Sequence, residues 1–474
     1  MTGKIKISAL IAVFSISMNV QNGFAAGEFA SSSVKISALT IKSKSETVKI
    51  SALTIQSKSE SSMLVQENVN DEEGDKLFGK EGGYFHPYIS LGFEYTDNLF
   101  NLNDKFEAGE IENLLTTVSP GIWFAMPRTK HIPITINPNN TSPGGLQHQF
   151  EDYRGLDRFQ AYALGGLDFK YYSENSDLNR TDGELEGLMR YNMRGGLGLQ
   201  LVDRYTRGED EMDAGSYLRD QDRGFDSNLL LATADWDVTE KLRTKINYTN
   251  FVLIYEDDIN QFLDRVDNGV DLYGYYNYSS KTSFFIEYKF IAAAYDESTL
   301  LDSDTNFFYG GIKWDTTEKT NLLFKLGYQT KKFDDEILEI DDWDGFVYDL
   351  QLTYRYSEKT HLELGSYRTN DAPDSYRASD QTVLGAVLKY DQKFSDRLSG
   401  SFDVVYEDID YSNAHIVVEK DRDDNTFAAR PAVQYLFRRW LMFELAYEYE
   451  TRESTEDFFD YDTNTFMLNA NLSL

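Results

Sequence analysis

Five histidines, His86, His131, His148, His361 and His415, and no cysteine limit the covalent chemistry open to this 474-residue chain. Without a thiol there is no disulfide, no thiolate metal site, no cysteine nucleophile and no lipidated cysteine. Hydrolysis needs a histidine beside a carboxylate or a serine, and only His415 lies in a long acidic connector, with Asp408 and Asp410 near it. One histidine near acids fixes no geometry, and no phosphate loop, zinc motif or dinucleotide fingerprint is present. These residues predict no enzyme.

Carboxylates are the second chemical resource. Asp and Glu number 79 against 46 Lys and Arg, a net charge of -33, which would repel nucleic-acid phosphates. Seven acids and no base lie between Phe333 and Gly345: Asp334, Asp335, Glu336, Glu339, Asp341, Asp342 and Asp344. The stretches 209–222, 407–424 and 453–462 are similarly acidic. Oxygen clusters of this kind bind hard divalent cations, so Ca2+ or Mg2+ bridging to lipopolysaccharide phosphates is one reading. No other cofactor is implied. Asp342-Trp343-Asp344-Gly345 lacks the first acidic ligand and the closing glutamate of an EF-hand loop. The alternative is a solvated acidic face that draws cations at long range.

The third resource is charge placed at every second position. Leu322, Phe324, Leu326 and Tyr328 alternate with Lys325, Gln329 and Lys331; Tyr348, Leu350, Leu352 and Tyr354 alternate with Asp349, Gln351, Thr353 and Arg355. Near the end Phe443, Leu445, Tyr447 and Tyr449 alternate with Glu444, Glu448 and Glu450. Period-2 patterning gives a strand one apolar and one ionic face. A soluble sandwich would turn the apolar face to a core, a membrane barrel would turn it to lipid, and periodicity does not choose between them.

The elements that must carry these faces settle the choice. A tight turn recurs at Thr239-Glu240-Lys241, Ser279-Ser280-Lys281, Glu318-Lys319, Ser357-Glu358-Lys359, Ser395-Asp396-Arg397 and Arg438-Arg439, with the basic residue spaced by 38 to 42 positions. Two long alternating stretches and one long acidic connector separate successive turns, the form of an up-and-down transmembrane barrel. Eighteen strands are expected between 84–97 and 464–474, among them 184–193, 268–279, 360–369, 379–392, 396–409, 425–437 and 440–451. Phe466, Leu468, Ala470, Leu472 and Leu474 alternate to the last residue, as a closing strand would. A propeller with blades of about 40 to 45 residues needs four short strands per repeat, and only two long ones are visible.

The N-terminal portion has another character. Lys4 and Lys6, the apolar run 7–20 and Gly23-Phe24-Ala25 have the order of a cleaved secretory signal, assigned to 1–25. Residues 26–83 read as a disordered periplasmic extension, in which 34–47 repeats almost unchanged as 48–61. The barrel is assigned to 84–474. One connector, 127–157, is long where a short turn is due and holds four of the eight prolines; a docking loop, an inward-folded constriction and a plain insertion are all open.

The strings Phe93-Glu94-Tyr95-Thr96-Asp97-Asn98-Leu99-Phe100, Thr116-Thr117-Val118-Ser119-Pro120-Gly121 and Val202-Asp203-Arg204-Tyr205-Thr206-Arg207 resemble the putative beta-barrel porin 2 family. The resemblance implies a bacterial outer-membrane barrel, some members of the family being associated with exopolysaccharide or capsule export. Barrels of this strand number leave an aqueous channel. Its lining would mix Arg243, Lys245, Lys325, Arg355 and Arg430 with Glu287, Asp349, Asp403, Glu444 and Glu448. Tyr273 and Tyr275 share that face and offer rings for sugar stacking or for packing. The expected partners are outer-membrane lipid, lipopolysaccharide and hydrophilic solutes or polysaccharide, with room for a homo-oligomer. The rival function is a structural or adhesive barrel acting through its acidic external loops.

Overall fold

The recurring turn has a simple chemistry. In the computed structural model, at the first five of the six turns, the hydroxyl of the Ser or Thr two residues before the basic residue accepts that residue's backbone N–H. Lys241 donates to Thr239 at 3.2 Å, Lys281 to Ser279 at 3.2 Å, Lys319 to Thr317 at 3.1 Å, Lys359 to Ser357 at 3.2 Å and Arg397 to Ser395 at 3.2 Å. A side-chain oxygen that closes its own turn favours a sharp reversal over continued strand. The structure describes residues 83–103, 111–127, 158–209, 224–296, 301–317, 319–334, 341–371, 378–413, 422–438 and 440–473. The signal sequence, almost all of the 26–83 extension, nearly all of the 127–157 connector, and His131, His148 and His415 lie outside them.

Eighteen strands run up and down. The first six are β1 (Phe85–Thr96), β2 (Asn113–Met126), β3 (Phe159–Tyr172), β4 (Arg180–Asn192), β5 (Leu197–Glu209) and β6 (Gly224–Asp237). β7 (Leu242–Tyr255), β8 (Arg265–Ser279), β9 (Thr282–Tyr295), β10 (Ser303–Thr317), β11 (Thr320–Phe333) and β12 (Trp343–Ser357) follow. The last six are β13 (Thr360–Asp371), β14 (Ala378–Lys393), β15 (Leu398–Asn413), β16 (Arg422–Arg438), β17 (Leu441–Ser454) and β18 (Tyr461–Ser473). Each strand pairs antiparallel with its sequence neighbours, and β1 also pairs with β18, from Tyr88↔Ser473 to Thr96↔Thr465. The sheet is closed and has no free edge, which satisfies the backbone without water.

Register fixes which residues share a face. Leu322↔Leu352, Phe324↔Leu350 and Leu326↔Tyr348 lie on the outer wall, and Lys325↔Asp349 between them points inward. Ile286, Phe346, Leu445 and Phe466 are all more than half exposed on the outside, part of an apolar belt that runs round the barrel. Exposed apolar surface on this scale needs lipid against it. Trp236, Trp314, Tyr356, Phe394, Phe437 and Trp440 stand exposed near the short turns, as an aromatic girdle at one interface.

Several strands run three or four residues beyond the alternating sequence, all at the long-connector end. β4 starts at Arg180, β8 at Arg265, β16 at Arg422 and β18 at Tyr461, while β15 continues to Asn413 and β17 to Ser454. There the ladder has left the hydrocarbon, so apolar alternation is no longer required and polar pairs take its place. Inside, the wall is only partly ionic. Trp123, Tyr162, Leu164, Leu188, Val202 and Leu231 form one inward apolar cluster; Phe225, Phe251, Leu253, Ile291, Phe307 and Val347 belong to another. These residues break the simple expectation of an ionic interior.

Candidate functional site

All ten residues expected to line the interior sit on the inward face. Arg243 and Lys245 are on β7, Glu287 on β9, Lys325 on β11, Asp349 and Arg355 on β12, Asp403 on β15, Arg430 on β16, Glu444 and Glu448 on β17. Eight of the ten are buried, Arg243 and Arg355 being half-buried. Lys325 Nζ is 3.5 Å from Glu287 and 4.0 Å from the Tyr309 ring centroid. Arg430 pairs with Glu444 at 3.0 Å and Glu448 at 3.9 Å, and Gln434 donates to Glu444 at 3.1 Å. Asp403 lies in register between Lys389 and Arg430, Gln351 donates to Asp349 at 3.2 Å, and Arg355 stands opposite His361. Opposite charges thus meet across two or three strands and hold each other desolvated.

The two tyrosines are packing elements. Tyr273 and Tyr275 stack on each other at 5.8 Å, Lys245 lies 4.4 Å from the first ring, and Arg243 and Lys313 lie 5.0 and 5.4 Å from the second. With their faces taken by cations, these rings are only 8% and 5% exposed and offer no platform to a sugar. Two histidines are in view, both near the turn end. His86 stacks on Trp123 at 4.2 Å, and His361 faces inward near the β12–β13 turn.

Further ionic pairs lie at the outer mouth, where the sequence reading stopped short. Three strands open with the pattern Arg-x-Asp, and both side chains of each pair point inward. Arg180 meets Asp182 at 2.7 Å, Arg265 meets Asp267 at 3.0 Å, and Arg422 Nε meets Asp424 at 2.9 Å. The i, i+2 spacing of opposite charges at a strand start was the available signal. Just past the end of β1, Asn98, a member of the string that carried the family resemblance, accepts the Leu102 N–H at 2.8 Å and donates to the carbonyl of Asp462 at 3.0 Å. Leu99, Phe100 and Leu102 then pack with inward-facing Tyr172.

Among the described residues, acids and amides at the outer strand ends have structural employment. Carboxylates or amides just before the returning strand accept the last backbone N–H of the preceding one: Asn179 from Tyr172, Asp264 from Tyr255, Asp302 from Tyr295 and Asp460 from Ser454, each at 2.7 Å, and Asp342 from Phe333 at 3.2 Å. Burial raises the Asp302 carboxyl from its ordinary value, against the N–H it accepts. A second set receives tyrosine hydroxyls on the outer wall. Tyr95, Tyr205, Tyr248, Tyr288, Tyr328, Tyr406, Tyr447 and Tyr449 donate to Glu112, Asp226, Asn268, Asn306, Asp344, Asn425, Asn464 and Asp462, respectively. In all eight the acceptor lies two positions outward from the residue in register with the tyrosine. This diagonal is the reach of long side chains across an antiparallel pair. Among the described residues no group of three His, Asp or Glu is arranged to hold a metal.

A closed antiparallel barrel with an apolar belt outside, ionic side chains inside and aromatic residues at both rims defines an outer-membrane barrel of the porin class. The sequence matches the family described as Putative beta-barrel porin 2 over residues 157–474, and the chain belongs to that family. The match includes the 202–207 string and begins after the first two strands. The family and the belt together place the protein in a bacterial outer membrane. No curated protein matches the chain. Among solved structures, it is similar to OccAB3 of Acinetobacter baumannii, at 10% identity over 82% of this chain and 99% of that one, with a TM-score of 0.43. OccK2 (OpdF) of Pseudomonas aeruginosa in complex with glucuronate gives 12% identity over 82% and 98%, with a TM-score of 0.43.

Proposed function

We propose that the protein is a passive channel for hydrophilic solutes across the outer membrane, its path lined by Arg243, Lys245, Glu287, Lys325, Asp349, Arg355, Asp403, Arg430, Glu444 and Glu448. The supporting observation is the segregation of faces: ionic and amide side chains line the inside of a closed wall whose outside is apolar. Membership in a porin family supports the same reading. Lining charges of both signs favour weak ion selectivity along the wall, while acidic connectors attract cations to the mouth. Polysaccharide is one hydrophilic cargo, and unchanged surface glycan after gene deletion would remove it. Delivery would use 1–25 as a cleaved signal, leaving 26–83 on the periplasmic side. At the acidic connectors, Ca2+ or Mg2+ would bridge to lipopolysaccharide phosphates.

A second reading is favoured by the burial of the inward side chains. Glu287, Lys325, Glu444 and Asp403 are no more than 5% exposed, as in a wall whose inside is covered. On that reading the barrel is a structural or adhesive element acting through its external loops. Conductance of the refolded protein in a planar bilayer separates the two: stable steps mean a channel, and silence means the structural barrel.

A further inference from the structure

We propose that Gln329 sets the solute size limit of this channel by holding the outer ends of β13 and β14, at Asn370–Asp371 and Ala378–Val383, inside the lumen. The inference rests on the channel reading and adds to it a residue that determines which solutes fit. It begins from an interrupted ladder. β12 starts at Trp343 and β13 runs on to Asp371, yet their pairing stops at Tyr348↔Arg368. The β9–β10 and β5–β6 ladders reach Ala293↔Ser303 and Glu209↔Gly224, at or near the strand ends.

A side chain from β11 takes the place of the missing backbone. Gln329 is in register with Gly345 on β12, which has no side chain of its own and lies beside the Trp343 indole. It reaches past that glycine to β13, donating from Nε2 to the Asn370 carbonyl at 2.5 Å and accepting the Asn370 N–H on Oε1 at 3.0 Å. One amide therefore makes both hydrogen bonds that a neighbouring strand would make, on the lumen side of β12. Both residues are fully buried.

Burial and charge give the same placement. From Ala378 to Val383 both faces of β14 are buried, whereas a wall strand shows lipid every second residue, as Leu384 does at 39% exposure. Asp371 interacts electrostatically with Lys289 on β9, four strands round the wall, and Asp371 and Asp380 with Lys331 on β11. Asn370 Nδ2 donates to Asp380 at 2.6 Å and Thr382 at 3.2 Å, tying the two arms together. The hairpin also lacks the outer tyrosine diagonal: Arg368 occupies the site, in register with Leu384, and donates to the Phe346 carbonyl at 2.5 Å. An acidic hairpin end set against a lysine-bearing wall narrows the passage to small hydrophilic solutes, and a wider polymer passes only when the end is released.

The test compares wild type with Gln329→Ala, Gln329→Glu and the lipid-facing control Val433→Ala, all refolded and checked by heat-modifiable gel mobility. Single-channel conductance in planar bilayers and liposome swelling with glucose, maltose, maltotriose and maltopentaose are read. Gln329→Ala is expected to raise conductance roughly two-fold or more and to admit a longer maltooligosaccharide. Gln329→Glu, which keeps the shape and loses the donor, is expected to shift the same way by less, and Val433→Ala not at all. A silent wild type that conducts only as Gln329→Ala overturns the size-limit inference, the wild-type barrel being closed. A conducting wild type matched by both Gln329 variants in conductance and sugar cut-off overturns it and leaves the channel standing. Silence from every variant overturns the channel and this inference with it.

Discussion

Replacing Leu326 by arginine tests the wall from its lipid side. Leu326 lies six residues from the start of β11 at Thr320 and is 48% exposed on the outer face. With a rise of about 3.3 Å per residue and a tilt of about 40°, it stands about 15 Å from the turn end, near the middle of an apolar band about 25 Å tall. An arginine on the lipid face at that depth costs roughly 2–4 kcal/mol. That is about a 30- to 700-fold loss in the folding equilibrium. In a soluble sheet the same exposed position would tolerate the change within about 0.5 kcal/mol. The assay is urea unfolding of the protein refolded into phospholipid vesicles, followed by tryptophan fluorescence. A midpoint indistinguishable from wild type would mean that the outer face does not meet hydrocarbon, and the barrel's orientation would have to be abandoned.

The same titration checks two further expectations. Tyr406→Phe removes the hydroxyl that donates to Asn425 at 2.6 Å and should lose about 0.5–1.5 kcal/mol, while Tyr435→Phe, near the turns, should be neutral. Arg430→Ala leaves Glu444 and Glu448 buried without their cation and should lose about 3–5 kcal/mol. Lys393→Ala breaks only a pair with Asp396, whose side chain is 97% exposed, and should stay within about 0.5 kcal/mol.

The middle of each strand was readable because lipid and lumen impose opposite chemistry on alternate residues. Strands such as β2 and β11 are placed within a residue of their expected ends, and the ten inward candidates share the inner face. The outer ends were not readable by the same rule. Arg180, Arg265 and Arg422 continue the ladder with ionic pairs, so a reading based on apolar alternation stops too soon. Inward apolar residues were missed for the converse reason. Leu229-Leu230-Leu231 on β6 is apolar on both faces, and hydropathy does not reveal that Leu231 packs with Trp123 and Leu188 inside. Gln329 could be placed on the inner face from sequence, but its bonds to Asn370 join residues 41 positions apart and depend on where a ladder stops.

The acidic outer ends are better understood as a hydrogen-bonding code than as loose surface charge. An Asp or Asn before a returning strand closes the backbone, and an Asp, Asn or Glu two steps beyond register receives a tyrosine at the outer interface. Both roles need an acceptor at a fixed position, which a carboxylate or an amide fills equally well. A hairpin carrying the tyrosine is tied to its neighbour on the lipid side. On β13, Arg368 stands where the tyrosine would be, and its cation gains nothing from lipid contact. Arg368 ties that end to the Phe346 carbonyl instead of to a diagonal acceptor on β14, Gln329 holds Asn370 from the lumen side of β12, and Asp371 and Asp380 interact with Lys331 on β11. Inward folding of these two strand ends follows from the side chains that keep the wall upright at the other described strand ends.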